Sequence, residues 1–353
     1  MSKIQSVFDY LPEINADTAS EMAKQAGLDF TAIKVDIHYK VKQEVPKQEA
    51  VSLLPASAPA TQAKEIDVVI PDKVAVVRAD DGRYIGTVGR GRGIVQYCDV
   101  LAFTESLVSE GEAAYVTAGI TGAGQQAWLI MKTNNSVKLS GTDEIDYYFY
   151  VTTSHDSTKG LVVVPCALRK INGTVLTDTN APRIAFKHSR RVEDRIKKAK
   201  ASLVRVNSYF NTMEDSFRLL RSVTLNTLQF NTYIESLFPD PDERTKRAET
   251  VREDISDIYR NGAAQQLPST KGTMLGAYFA VVEWVDKVRR QKVSKVRPNE
   301  YDAKLHSLLE GSGAQAKSNA YAFALSMARQ LNTVSFAGSG GTNDFATSTS
   351  DNN

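Results

Sequence analysis

The chain has 353 residues, of which 42% are apolar and 24% charged, and its formal net charge is +2. This composition suffices for one large domain or two ordinary ones, and any basic surface must be local and balanced elsewhere. No apolar run reaches the length of a signal peptide or a membrane span, so we expect a soluble, cytoplasmic protein. Cys98 and Cys166 each lie in a strand-like run, which favours reduced thiols over a disulfide framework.

The first elements follow from spacing. A short helix is predicted over 15–26, and alternating apolar residues predict a strand over 30–41. The segment 43–64 is rich in Pro, Ala and Ser, so we expect a flexible excursion. Strand character resumes over 66–78, and the turn after it leads into a second strand over 84–88.

A glycine cluster follows these strands and contains Gly86, Gly89, Gly91 and Gly93, interrupted by Arg90 and Arg92. A phosphate-cradling loop is one interpretation, but the cluster lacks the Lys-Ser/Thr ending of a nucleotide-binding loop and the dinucleotide spacing. A glycine-rich turn between strands is therefore favoured. The two arginines could still touch a phosphate backbone without forming a pocket.

Asp99 is predicted to cap a helix that ends near residue 109, and strands are predicted over 113–120 and 127–132. A β-hairpin is predicted over 144–171. Its first arm alternates apolar and polar residues, which indicates one buried face. Its second arm is apolar on both parities and is expected to be central, with a bulge at Pro165, which has no N–H to donate.

After residue 188 the period changes to that of helices, beginning with a long basic helix that carries a stripe of apolar residues. Strands followed by helices, without a βαβ repeat, predict an α+β fold: a largely antiparallel curved sheet with a helical half packed on it. We expect three regions, namely a sheet domain over 1–188, a helical region over 189–334 and a disordered tail over 335–353.

Two segments concentrate positive charge. The first basic segment, 187–221, has ten Lys or Arg residues against four acids, and the second basic segment, 287–297, has six and no acid. Either alone is more often a solvated helix face or loop. Two such segments in a nearly neutral chain favour an anionic polymer as partner. The predicted binding residues are Arg190, Arg191, Arg195, Lys198, Arg289, Arg290 and Lys292.

Aromatic residues could add base stacking if one parity of the hairpin strand faced solvent, although the favoured interpretation places one parity in the sheet core and the other on the hairpin surface. These residues are Tyr147, Tyr148, Phe149 and Tyr150.

The sequence Ser154-His155-Asp156 invites a catalytic interpretation. Neighbours in an extended chain point to opposite faces, so these three cannot form a triad among themselves. His155 could act as a general acid or base with Asp156 or a distant carboxylate such as Glu283. We favour a structural role, in which Asp156 and Ser157 close a turn and His155 makes a polar contact.

The four histidines show no ligand-like spacing with each other or with the cysteines, so we predict neither a metal site nor a cofactor.

Four stretches in order, DKVAVVR at 72–78, ESLVSEGEAAYVTAG at 105–119, TTSHDSTKG at 152–160 and KGTMLGAYFAVVEWVDKVRR at 271–290, resemble the phage/plasmid-like protein family built on domain of unknown function 932. The resemblance covers roughly residues 15–330. It places the family motifs on Ser154, His155, Asp156, Gly272, Thr273, Gly276 and Asp286. The chain departs from the family at 169–174, where a Cys-Gln-Asn-Thr-like segment is usual. The resemblance implies a mobile-element setting and no established activity.

We therefore expect a non-catalytic DNA-binding protein of phage or plasmid type, acting on single strands or in strand annealing during recombination or replication. It could form a homo-oligomer and has no membrane partner. Two alternatives remain open: a hydrolase or nuclease that uses His155 with nearby carboxylates, and an assembly or host-interaction protein.

Overall fold

The computed structural model describes residues 11–12, 14–46, 61–156, 158–186, 192–240, 246–294 and 299–338 of the chain. Strands dominate up to Phe186 and helices dominate from Val192 onward. The predicted α+β fold is confirmed. Within the described residues, no helix is both long enough and apolar enough to cross a membrane. The division into domains stays a prediction.

The N-terminal strands form two antiparallel sheets where the sequence predicted one curved sheet. The smaller sheet has the order β1-β2-β3, and its strands are β1 Ala32–Pro46, β2 Thr61–Arg78 and β3 Tyr84–Gly89. The flexible excursion predicted over 43–64 was wrong at its two ends, which are strand. Gln43 to Pro46 pair with Thr61 to Lys64, and residues 47–60 lie outside the described part of the chain.

The larger sheet has the order β4-β5-β6-β7-β8, and β9 also pairs with β7. Its strands are β4 Ala113–Thr121, β5 Gln126–Ser140, β6 Asp143–Ser154, β7 Leu161–Arg169, β8 Thr174–Thr177 and β9 Ile184–Phe186. The hairpin predicted over 144–171 is the β6–β7 pair at the centre of this sheet. Its position explains the apolar character of β7 on both parities.

Pro165 does not produce the predicted bulge, because it pairs in register with Phe149 on β6. On the other side of β7, β9 pairs with Leu161 to Val163, and the pairing with β8 begins at Cys166. Pro165 thus lies in the gap between β9 and β8, where its missing N–H costs no ladder hydrogen bond.

Helix α1, Ala19–Gln25, precedes the smaller sheet, and helix α2, Tyr97–Ser109, follows it. The prediction that Asp99 caps α2 was wrong. Gln96 is the N-cap, and Asp99, three residues later, accepts the Gln96 N–H with its Oδ2 at 3.2 Å. Cys98 accordingly lies on a helix and is exposed, whereas Cys166 is buried in β7, and both are free thiols.

The helical half consists of α3 Val192–Ser222, α4 Thr227–Leu237, α5 Lys246–Asn261, α6 Met274–Glu283, α7 Glu300–Leu309 and α8 Ser312–Gly338. Every residue of α6 up to Val282 is buried, so this helix forms the centre of that half. A π-helical turn, Trp284–Val288, continues it. α8 extends into the predicted tail as far as Gly338, and residues 339–353 lie outside the described part of the chain.

Candidate functional site

The turn between β6 and β7, residues 154–160, buries His155. The ring is 4% exposed, stacks on Tyr97 with centroids 3.8 Å apart, and places Nε2 2.9 Å from the Val95 carbonyl oxygen. Phe30 meets the same ring edge-on at 5.8 Å. The imidazole therefore joins the turn to the segment before α2 by packing. This placement gives the hydrolase hypothesis no support.

Ser154 and Asp156 are engaged within the 154–160 turn. Ser154 Oγ accepts the Lys159 N–H at 2.8 Å and donates to the Lys159 carbonyl at 3.1 Å. Asp156 Oδ1 accepts the Thr158 N–H at 2.9 Å and its hydroxyl at 2.6 Å. Both side chains thus close the turn, as short polar residues commonly do. Ser157 lies outside the described residues.

The glycine cluster supports this turn from the neighbouring sheet. A Cβ on Gly86 would lie 2.9 Å from the Cβ of Asp156, so only glycine lets β3 approach the turn so closely. Gly89 is the last residue of β3, and Gly91 belongs to the turn after it. The glycines therefore form a strand and a turn, as favoured from their spacing.

The second family motif begins at the start of α6. Gly272 adopts φ +69°, which favours glycine, and Thr273 caps the helix by accepting the Gly276 N–H at 3.1 Å. Glu283, at the end of α6, accepts hydrogen bonds from Gln265 at 3.1 Å and from Lys287 at 3.0 Å. These contacts tie the carboxylate of Glu283 to neighbouring structural elements.

Asp286 lies in a buried polar network. Its Oδ2 accepts the Val175 N–H of β8 at 2.7 Å, and its Oδ1 accepts from Lys317 Nζ at 3.1 Å. Lys317 also donates to the Val175 carbonyl at 2.7 Å. Burial raises the pKa of Asp286 and lowers the pKa of Lys317, while the pairing opposes both shifts. The network pins the end of β8 to α8 and to the π-helical turn.

The tyrosine-rich strand offers no stacking surface. Tyr147, Tyr148, Phe149 and Tyr150 are 1–6% exposed, so both parities of β6 are buried. Tyr147 stacks on Phe210 of α3 with ring centroids 4.3 Å apart. The alternation that indicated one buried face was misleading, because Tyr148 and Tyr150, on the second parity, are buried as well. Base stacking on these rings is excluded.

The second basic segment reaches the 154–160 turn through the corner between α7 and α8. Lys159, in the turn, forms an ion pair with Glu310, the residue after α7. Arg289 donates to the backbone carbonyl and to Oγ of Ser312, the first residue of α8, at 3.0 Å each. Only Gly311 lies between Glu310 and Ser312 along the chain. Arg289 and the turn therefore flank the same corner.

The first basic segment follows β9 in sequence, and β9 ends beside the 154–160 turn. Phe186, the last residue of β9, pairs with Leu161, which directly follows Gly160. Residues 187–191, which include Arg190 and Arg191, lie outside the described part of the chain. Arg195 and Lys198 fall on α3, but their side chains are outside it too. Farther along α3, Arg218 pairs with Glu214 at 2.6 Å.

A group of cations is contributed by two segments that are distant in sequence, and the charges of Arg247 and Arg289, one from each segment, interact. Partial burial lowers the pKa of Arg289, and the nearby charge of Arg247 at the start of α5 lowers it further. Within the described residues, the members of this group form no ion pair with a carboxylate. We define the basic patch as Lys246, Arg247, Arg289, Arg290 and Lys292, of which all but Arg289 are exposed.

Sequence reasoning missed Lys246 and Arg247, because more than 40 positions separate them from Arg290. One local signal was available. Cations at the first turn of a helix oppose the helix dipole, and natural sequences usually place acids there. A Lys-Arg pair at the start of α5 is therefore locally unfavourable, which hints at a role outside helix stability.

A cavity of about 480 Å³ lies between α4 and α5, apart from the basic patch. Carboxylates outnumber cations in its lining, which contains Glu235, Glu249, Glu253, Asp257, Arg252 and Arg260. Such a groove repels a polyanion. Among the residues that the structure describes, no cluster of three or more His, Cys, Asp or Glu side chains could hold a metal ion.

Comparison with known proteins gives one match. A family model described as Domain of unknown function (DUF932) matches residues 84–309. No curated protein and no solved structure matches the chain significantly.

Proposed function

Because the chain belongs to the DUF932 family, whose function is unknown, its role must be argued from its own residues, and we propose that it is a non-catalytic DNA-binding protein. It holds the phosphate backbone with the basic patch, in the cytoplasm and in a phage or plasmid setting. Single strands, as in strand annealing during recombination or replication, are the favoured substrate. The contact is independent of base sequence, because the described aromatic side chains of β6 are buried.

The observation that carries this proposal is the uncompensated charge of the basic patch. Arg247 and Arg289 come from segments about 40 positions apart, and the pKa of Arg289 is lowered by burial and by Arg247. Like charges held together destabilise a folded chain unless an anion joins them. A phosphate between them turns this repulsion into attraction.

The position of the patch adds a second support. Arg289 contacts Ser312 beside the corner that Lys159 and Glu310 close. β9 ends next to the same turn and leads into the first basic segment. The predicted binding residues Arg190, Arg191, Arg195 and Lys198 belong to the segment that follows β9 in sequence, and we propose that they add further contacts to the phosphate backbone.

The proposal is tested by fluorescence anisotropy with short single-stranded and double-stranded DNA. Neutralising about five phosphates should give a slope of log affinity against log salt near −3.5 for single strands and near −4.5 for duplexes. Raising salt from about 50 to about 200 mM should then weaken binding by about two orders of magnitude. The absence of binding at low salt, or binding indifferent to salt, contradicts the proposal.

A further inference from the structure

Strand β1 has an open edge. The smaller sheet has the order β1-β2-β3, and within the described residues β1 pairs with β2 alone. At Ala32 both backbone groups bond the side chain of Gln96, each at 2.9 Å, so they point away from β2. The pairing with β2 shifts register between Asp36 and His38, but the extra residues lie on β2 and β1 itself continues without an insertion. Strand geometry therefore repeats this direction at every second residue of β1, which turns the N–H and C=O groups of the even-numbered residues outward. A long open edge of this kind invites pairing with another strand.

The outer face of the same strand is apolar and uncovered. Four side chains at odd-numbered positions of β1, Ile33, Val35, Tyr39 and Val41, are 42%, 44%, 50% and 39% exposed, and Ile37 between them is partly exposed. Ile66, which lies opposite Val41 on β2, is 37% exposed. Single exposed apolar residues are ordinary, but a continuous stripe marks an interaction site.

The charges beside this stripe indicate a protein partner rather than DNA. On the other face of β1, Lys40 pairs with Glu65 of β2 at 3.2 Å. Asp36 pairs with Arg90 at 2.8 Å. Positive charge here is compensated within the chain, unlike that of the basic patch.

We propose that the edge of β1 pairs with β1 of a second copy of this chain, antiparallel about a two-fold axis at Tyr39. A two-fold interface requires a self-complementary sequence, because each residue i faces a fixed residue j and j faces i. An axis at Tyr39 brings Tyr39 beside its own copy, Ile37 opposite Val41, and Asp36 opposite Lys42. Apolar residues thus meet apolar residues, and each acid meets a base.

Neighbouring registers lack this match. In the proposed pairing, the outward-facing groups of even-numbered residues bond even-numbered residues of the second copy. The two residue numbers of every opposing pair therefore sum to an even number, so the two-fold axis passes through a residue and not between two residues. An axis at His38 also pairs Asp36 with Lys40, but it opposes Lys34 to Lys42, and an axis at Lys40 opposes that lysine to its own copy. Like charges directly opposite each other on paired strands are destabilising. Charge complementarity therefore selects Tyr39.

Sedimentation equilibrium on the full chain tests the proposal through charge exchange. The wild-type chain should be a dimer, and Asp36→Lys or Lys42→Asp alone should each be a monomer, because each places like charges opposite each other twice. Mixing these two variants should restore a dimer, because every opposing pair then has opposite charges. Lys73→Asp, an exposed lysine of β2 away from the edge, is the matched control and should remain dimeric.

A monomeric wild-type chain at tens of micromolar overturns the proposal. This holds even if another segment of the chain or another protein covers the edge of β1. It is also overturned if both single variants remain dimeric, or if their mixture stays monomeric while circular dichroism shows native folding. The test measures mass without DNA, so its outcome is independent of the proposed DNA binding.

Discussion

Arg169 and Asp143 form a two-pronged ion pair in which neither side chain is accessible to solvent, with nitrogen–oxygen distances of 2.8 Å in both arms. Ser269 adds a hydrogen bond to Asp143 at 2.6 Å, and Arg169 donates to the Ala264 carbonyl at 2.7 Å. Two strands of the larger sheet are thereby joined to the segment before α6.

Arg169→Met should lower the free energy of unfolding by about 3–5 kcal/mol, because it leaves the buried Asp143 carboxylate without its partner. Urea unfolding at pH 7 measures this loss. The matched control is Lys170→Met, which removes the neighbouring ion pair to Glu144, where the lysine is 48% exposed, and should cost less than about 1 kcal/mol. Equal losses in the two variants contradict the account of the buried pair.

His155→Ala should lower the free energy of unfolding by about 2–4 kcal/mol, because it removes a buried ring that packs on Tyr97 and bonds the Val95 carbonyl. The exposed His38 offers a control, and His38→Ala should change stability by less than about 0.5 kcal/mol. If His155→Ala leaves stability intact, the ring is not a packing element and the catalytic hypothesis is favoured instead.

Gly276→Ala should destabilise the protein although alanine is the better helix former. A Cβ at this position would overlap the Thr270 carbonyl oxygen, which belongs to the backbone and cannot rotate away. The overlap should cost about 1–3 kcal/mol, against a gain of about 1 kcal/mol from helix propensity. Gly89→Ala is the control, because nothing lies within 4 Å of its added Cβ. A stabilised Gly276→Ala variant in thermal unfolding argues against close packing of α6 at that point.

The two cysteines should differ in reactivity over the alkaline range. Burial raises the pKa of Cys166 to about 12, so this thiol stays protonated in the folded protein at pH 9. Cys98 is exposed, so its thiolate can be reached by reagents as the pH rises. A disulfide reagent should modify one thiol per native chain at pH 8–9, and the second only in denaturant. Rapid modification of both native thiols contradicts the burial of Cys166.

Local patterns predicted much of the sheet and of the helical half. Alternation located the strands, and the change to a helical period located α3. Coverage of surfaces was harder to predict, because residues that pack on β6 come from far along the chain, as Phe210 of α3 does on Tyr147. Tyr148, which looked solvent-facing by alternation, is buried.

The candidate site was only partly predictable for the same reason. Arg290 and Lys292 stand out in a run without acids, but their association with Arg247 depends on how α5 packs beside α6. The Asp99 cap failed for a local reason, since a glutamine took the N-cap position and the acid the third helical position.

The salt dependence of DNA binding after removal of two patch cations tests most directly whether the basic patch binds DNA. The double variant Arg290→Ala with Lys292→Ala should weaken binding to every sequence alike and make the salt slope shallower by about 1.4–1.8. The matched double variant Lys73→Ala with Arg83→Ala, exposed cations on the smaller sheet, should retain the wild-type slope. An unchanged slope in the patch variant, or an equal loss in the control, contradicts the assignment of the basic patch.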